Sequence, residues 1–327
     1  MRPPAFWFGP AHNPGLLART LSPLGWLYAK ATERRLGSPG YKAGVPVICV
    51  GNLNVGGTGK TPLAIALIGL LDQRGKKVAI VSRGYGGSLS GPVQVDPAHH
   101  TAAEVGDEPL LLAAFAPTFI GHDRAAAVKR AEATQPDVIL LDDGFQNPSV
   151  QKDLSLVVVD ARQGFGNGLC LPAGPLREPV ATGLRRADFV VVVGDDAAQQ
   201  MFRATWPVSV PMLAAKLEPV PTGMDWQGAR VLAFAGIGNP QKFFDTLRGL
   251  GADLVRKVAL DDHQPLSAAL IKRLQLEAVA RRAQLVTTEK DAVRLPQALQ
   301  SEVLILVVRL RLQNAAPLTE ALQRLGL

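Results

Sequence analysis

Residues Gly51 to Pro62 read Gly-Asn-Leu-Asn-Val-Gly-Gly-Thr-Gly-Lys-Thr-Pro, with a Val/Ile-rich run before them and an amphipathic segment, Leu63 to Leu71, after them. This order suits the binding of a polyphosphate. Glycines let successive backbone N–H groups converge on phosphate oxygens, and the following helix N-terminus adds its partial positive charge. A lysine can then reach the terminal phosphates, and a threonine hydroxyl can ligate Mg²⁺. The binding candidates are therefore Asn54, Val55, Gly56, Gly57, Thr58, Gly59, Lys60 and Thr61. Asn54 stands where G-x-x-x-x-G-K-[ST] has its first glycine. Asparagine is among the few residues that tolerate positive φ, so the loop can still form. The competing reading is a glycine-rich turn that binds no nucleotide.

A second apolar run, Asp137 to Leu141, ends in Asp142 and Asp143 followed by Gly144. Carboxylates at the carboxyl end of a strand beside a phosphate loop are placed to face Mg²⁺, directly or through water. Two adjacent acids before a glycine also suit an ordinary turn.

The elements that must position these groups show as further apolar runs, Val45 to Val50, Lys77 to Val81, Leu156 to Val159 and Phe189 to Val193, with helical segments between them. Continuous rather than alternating runs are what strands covered on both faces require, so the expected fold is α/β with a doubly wound, mostly parallel sheet. After Leu217 to Gly223 (LEPVPTG) a further strand-like run, Val231 to Ala235, opens a second unit. Val210 to Pro219 and Val303 to Leu312 read as extended links leaving and re-entering the first unit. The expected division is an N-terminal region 1–37, a core 38–218, a smaller α/β lobe with linker strands 219–313, and a C-terminal helix 314–327 packing back on the core.

In the N-terminal region Leu17, Leu21, Leu24, Tyr28 and Ala31 fall at helical spacing, with Leu16, Trp26 and Leu27 widening the stripe and Arg19, Lys30, Arg34 and Arg35 near its border. With Phe6, Trp7 and Phe8 beside it, this pattern suits a helix lying in a membrane interface; a helix packed on its own core gives the same periodicity.

Composition narrows the partners. A 327-residue chain with 47% hydrophobic and 19% charged residues can bury at least one large core and is not disordered. The net charge of +7 favours an anionic partner, and the basic residues are scattered rather than blocked, which argues for a phosphate site with a basic rim over nucleic acid. Two cysteines, Cys49 in a strand-like run and Cys170, fit a reducing cytoplasm. The start, MRPPAFWFGP, lacks a signal peptide's apolar core, and no stretch reaches the roughly 18 apolar residues that span a bilayer, so neither export nor a spanning helix is expected.

Seven motifs stand in one order: GNLNVGGTGKTP, SRGYGG (Ser82 to Gly87), GDEP (Gly106 to Pro109), DDGFQ (Asp142 to Gln146), PAGPLREP (Pro172 to Pro179), the Asp-His of DDHQ (Asp261 to Gln264) and TTEKD (Thr287 to Asp291). In that order the chain resembles the tetraacyldisaccharide 4'-kinases, the lipid A 4'-kinases of Gram-negative bacteria, nearly end to end. The resemblance implies ATP and Mg²⁺, a lipid A disaccharide precursor as acceptor, and peripheral attachment to the anionic cytoplasmic face of the inner membrane. It implies a P-loop NTPase-like core and a smaller α/β lobe joined by a two-stranded linker, with the site between the lobes. A monomer is expected.

Carried over residue by residue, the resemblance implies Asp107 as the acid–base residue and His263 as its partner from the smaller lobe. Taken alone, Asp107 also reads as a helix N-cap, since Glu108, Pro109 and an apolar segment follow it. Lys60, Arg124 and Arg177 would stabilise charge on the transferring phosphate. By the same resemblance Glu108 assists the metal held by Thr61, Asp142 and Asp143, or the Asp107 network, Gln146 orients groups near the phosphates, and Tyr85 contacts a ligand. His263 lies far along the chain, so reaching Asp107 requires the lobes to close. A switch ATPase of the partitioning or metallocluster-insertion type would share the loop, but Asn54 and Val55 stand where those proteins carry a signature lysine. A soluble sugar or cofactor kinase is the other alternative.

Overall fold

The computed structural model of the chain describes residues 3–38 and 40–327. Within them the strands are, in chain order, β1 (Val47–Gly51), β2 (Val78–Ser82), β3 (Val93–Gln94), β4 (Thr118–Ile120), β5 (Val138–Asp142), β6 (Leu154–Asp160), β7 (Phe189–Val193), β8 (Met212–Pro219), β9 (Arg230–Ala235), β10 (Asp253–Ala259), β11 (Gln284–Thr288), β12 (Leu304–Leu306) and β13 (Val308–Leu312). Nine of them form one sheet in the order β13-β8-β7-β6-β1-β5-β2-β4-β3, and β10-β9-β11-β12 form a second.

Pairing from β4 through β8 is parallel. The edge pairs β3–β4 and β8–β13 are antiparallel. Every residue of β1, β2, β5, β6 and β7 is buried, which is why these strands read as unbroken apolar runs rather than alternating ones. Alternate side chains feed opposite layers. Val47 and Cys49 join Phe145 and Val157 on one face, while Ile48 and Val50 meet Leu63, Leu67 and Leu71 on the other. The fold is thus the expected α/β one, with a mostly parallel sheet of P-loop NTPase type.

The run Val303 to Leu312 is divided by the fold. β12 pairs with β11 in the small sheet, and β13 crosses to the large one, where Val308 to Leu312 lie antiparallel to Pro219 to Ala215 of β8. β3 and β4 are too short, at two and three residues, to leave a hydrophobic signature in the sequence. The final helix, Ala316–Arg324, buries Leu318 and Leu322 against Leu63 and Leu213 of the large unit.

The helix Leu16–Leu36 meets the core through small residues, Ala18, Gly25, Ala29 and Thr32. Its large apolar side chains point away: Leu16 is 80% exposed and Trp26 61%, and Leu17, Leu24 and Leu27 are exposed too. The reading of this stripe as core packing is therefore corrected, because the close approach needs the small side chains and leaves the leucines outside. Met1 and Arg2 of the N-terminal region lie outside the described residues. Among those described, no helix is long and apolar enough to cross a membrane.

Gly51 closes β1 against the turn that follows β5. A Cβ on it would stand 2.4 Å from the Phe145 Cβ. Phe145 is fully buried, and the Arg186 guanidinium lies 4.5 Å over its ring, so it cannot yield easily. Gly51→Ala is expected to cost about 1–3 kcal/mol by overpacking, seen as a lower urea midpoint at unchanged slope.

Candidate active site

The glycine-rich loop joins β1 to the helix Lys60–Asp72, whose N-cap is Gly59. Gly56 and Gly59 take φ values of 111° and 101°, where a Cβ would be strained, and this lets the intervening amides face one concavity. Asn54 does not use the positive φ expected of it. Its side chain is buried and its Nδ2 donates to the Gly164 carbonyl at 3.0 Å, while its backbone bridges Leu176. Val55 N–H donates to Pro175 O and Arg177 N–H to Leu53 O, each at 2.8 Å, so the PAGPLREP segment is stitched to the loop. Inside the loop, buried Asn52 donates from Nδ2 to Gly56 O at 3.2 Å and Thr58 Oγ1 at 3.1 Å.

At the same edge β5 ends in Asp142, and Ser82, the last residue of neighbouring β2, donates to Asp142 Oδ2 at 3.0 Å. Asp142 Oδ1 is buried without a partner. Burial pushes this carboxyl up to about 6, and the adjacent Asp143 pushes the same way against the pull of Lys60. Asp143 sits in the left-handed region at φ 52°, with Arg177 Nη1 at 3.3 Å and Lys60 Nζ at 3.6 Å from its Oδ1. Burial also acts to raise Asp143, but Lys60 and Arg177 outweigh it and hold the carboxyl below its ordinary value.

An orphaned carboxylate oxygen on Asp142, with a second carboxylate on the adjacent Asp143, suits a hard cation such as Mg²⁺, which takes oxygen ligands and leaves other positions to water and phosphate. Among the described residues no three His, Cys, Asp or Glu side chains cluster as a self-sufficient metal site, so phosphate oxygens would have to complete the shell. Glu108 is turned elsewhere, onto Lys290 Nζ at 2.6 Å, although its charge still adds to the raising of Asp142.

Arg124 opens the helix Arg124–Glu132 and is buried, with Nη1 donating to Gly121 O and Nε unpaired. Burial lowers its pKa to about 10, opposed by Asp142. It therefore stays a cation at neutral pH, within electrostatic reach of the acidic pair. Gln146 Nε2 donates to Asn52 O at 2.8 Å and Glu178 Oε1 at 3.0 Å, bracing the loop from behind.

The smaller sheet supplies the other wall. A Cβ on Gly238, after β9, would lie 3.6 Å from the Gly57 nitrogen and 3.8 Å from Asp262 Oδ2, so the phosphate loop and the loop after β10 face each other across this glycine. His263, at φ 59°, donates from Nδ1–H to Asp107 Oδ2 at 2.9 Å. Gly106 is the N-cap of the helix Asp107–Leu112 and Asp107 its first residue, so the N-cap reading of Asp107 is corrected: its carboxylate reaches across the lobes instead. Lys290 Nζ lies 3.4 Å from His263 Nε2, and the ring of Tyr85, 66% exposed, stands edge-on at 6.0 Å.

Sequence alone does not mark Asn52, Ser82 or Glu178. Buried Glu178 pairs with Arg186 and orders both DDGFQ and PLREP. Its place inside PLREP, and that of Ser82 at the head of SRGYGG, are the signals that could have found them.

A parallel sheet whose first strand runs through a glycine-rich loop into a helix, with carboxylates on the neighbouring strand tip, defines a phosphoryl-transfer protein of the P-loop NTPase type. The family model described as tetraacyldisaccharide-1-P 4'-kinase (LpxK) matches residues 17–326. The chain is 60% identical to the tetraacyldisaccharide 4'-kinase of Dinoroseobacter shibae over 329 residues, covering 99% of this chain and 98% of that one. It is 54% identical to that of Jannaschia sp., over 99% of each. In fold it is similar to the "apo" form of LpxK from Aquifex aeolicus, crystallised in complex with ATP, with a TM-score of 0.76 and 28% identity over 95% of this chain and 99% of the other. The chain belongs to the tetraacyldisaccharide 4'-kinase family.

The Asp107 hydrogen bond raises the His263 pKa above its ordinary 6.5, against burial and the Lys290 ammonium. A raised folded value means the link stabilises most fully below about pH 6.5 and fades as pH rises through the higher folded value. The stability difference between the parent protein and His263→Gln, followed by thermal unfolding, should be largest at the acidic end of that window and shrink above it.

Proposed function

We propose that the chain transfers the γ-phosphate of ATP to the 4'-hydroxyl of a tetraacyldisaccharide 1-phosphate, with Asp107 as the base that takes the hydroxyl proton and His263 as its partner. The observation that carries this reading is the 2.9 Å bond between Asp107 and His263, which joins the two lobes beside the phosphate loop. Backbone amides of Gly57 to Thr61 and the Lys60 ammonium receive the phosphates, while Arg124 and Arg177 offset charge on the transferring group. Thr61, Asp142 and Asp143 would hold Mg²⁺, which neutralises β- and γ-phosphate oxygens when bound. Gln146 and Asn52 keep the loop in place from behind.

The division into a core of 38–218 and a smaller lobe of 219–313 is the frame for this chemistry, with β8 and β13 as the paired connections. The exposed face of Leu16, Leu17, Leu24, Trp26 and Leu27, flanked by Lys30, Arg34 and Arg35, supports peripheral attachment to the anionic cytoplasmic face of the inner membrane. An acceptor with several acyl chains is presented at such a surface, and the outward leucines favour it over a soluble sugar.

Purified protein with labelled ATP, Mg²⁺ and detergent-dispersed tetraacyldisaccharide 1-phosphate should yield a bis-phosphorylated lipid; ATP-dependent dimerisation without that product would point to a switch ATPase. In the same assay His263→Ala should lower kcat by roughly 10²- to 10⁴-fold, the range of general acid–base catalysis, with little change in ATP affinity. Trp26→Glu with Leu27→Glu should weaken cosedimentation with anionic vesicles and leave thermal stability near the parent's; undiminished binding would remove the helix from the membrane contact.

A further inference from the structure

The motif TTEKD runs from the end of β11 into the short helix Glu289–Ala292, and Arg294 follows it. The Arg294 side chain is almost wholly buried. Its Nη1 donates to Gln264 O at 2.9 Å, and its Nη2 donates to Gly236 O at 3.0 Å and to Asp291. Asp291 is fully buried and is itself fixed, accepting from Gly236 N–H at 3.0 Å and from Thr288 Oγ1 at 2.6 Å. One edge of the guanidinium is thus clamped by groups of the smaller lobe.

Those bonds would be enough to tie down the Gly236 and Gln264 loops. They do not use Nε, which is buried without a hydrogen-bond partner and lies 3.4 Å from Asp107 Oδ2, across the lobe boundary. His263 Nδ1 meets the same oxygen. Lys290 is occupied with Glu108 and faces the far nitrogen of His263, and Asp262 Oδ1 lies 3.8 Å from that nitrogen, so neither addresses Asp107. Among the described residues no hydrogen bond engages Asp107 Oδ1.

We propose that Arg294 is a positioning residue for phosphoryl transfer: with His263 it grips Asp107 by Oδ2 from the smaller lobe, leaving Oδ1 turned to the acceptor hydroxyl. This rests on the reading of Asp107 as the base. The hydroxyl proton passes to Oδ1 as the new O–P bond forms, and the bond from γ-phosphorus to its bridging oxygen breaks with the electron pair leaving on ADP. A planar guanidinium clamped through both Nη nitrogens holds its Nε edge and its charge beside Oδ2; an ammonium on a flexible stem cannot. Asp107 is then correctly turned only when the lobes are docked, which couples proton acceptance to closure.

A double-mutant cycle tests this, with kcat and KM for ATP measured for the parent, Arg294→Lys, Asp107→Asn and the double variant. Arg294→Lys should cost roughly 10²-fold in kcat, the scale of a misplaced catalytic group, with KM for ATP nearly unchanged. On the Asp107→Asn background the same change should cost almost nothing, because the group it positions is gone. Equal losses on both backgrounds, or no loss in the parent, would overturn the proposal. Parental turnover by Asp107→Asn would instead overturn the base reading. Should the lysine variant lose its fold by circular dichroism, Arg294→Gln, which keeps an amide donor for the Gly236 carbonyl, takes its place in the cycle with the same expected pattern.

Discussion

Asp142 is a carboxylate taken out of water with one oxygen bonded to Ser82 and the other to nothing. Burying such a group costs free energy unless a positive charge answers it, and the answer from the protein is incomplete. Lys60 and Arg177 lean toward Asp143 rather than Asp142, and the buried Arg124 contributes only at a distance. One buried carboxylate oxygen is thus left unanswered, and a hard cation such as Mg²⁺ would suit it. The surrounding fold keeps this tension in place: parallel strands end at one edge, so Ser82, Asp142 and the glycine-rich loop are delivered within a few ångströms of one another.

The smaller sheet matters because it closes the same edge. Its two connections to the large sheet, β8 and β13, pair with each other, which limits the ways the lobes can move relative to one another. Across the boundary stand His263 with Asp107, Lys290 with Glu108, Arg294 with Asp107, and Lys242 with the buried Asp160. In these four pairs the partner in the large unit is an acid and the one in the smaller lobe a base, while on β13 Arg309 reverses the order by pairing with Glu289 of the smaller lobe. Docking the lobes therefore desolvates paired charges, and it also seats Val293 of the smaller lobe against the cluster of Val105, Leu110 and Ile120.

Burial follows the same division of labour at the N-terminus. Small side chains of the helix Leu16–Leu36 allow it to lie close to the core, and that close approach is what turns its leucines and Trp26 outward. A large apolar face beside a basic flank is costly in water and stable at a lipid boundary.

The sequence by itself determined the parallel sheet, the phosphate loop and the acidic strand tip, because unbroken Val/Ile/Leu runs and glycines ahead of Lys60 and Thr61 are local signals that strand burial and amide convergence impose on neighbouring residues. Asn54 shows the limit: its type was legible, but its job, a buried hydrogen bond to Gly164, depends on a segment more than a hundred residues away. The direction of the N-terminal leucines, the turn of Glu108 to Lys290, the freeing of Asp107 from any capping role and the grip of Arg294 on it were decided only by the tertiary structure. These are contacts between residues distant in the chain, and no periodicity or spacing along a single segment records which of two lobes a side chain will meet.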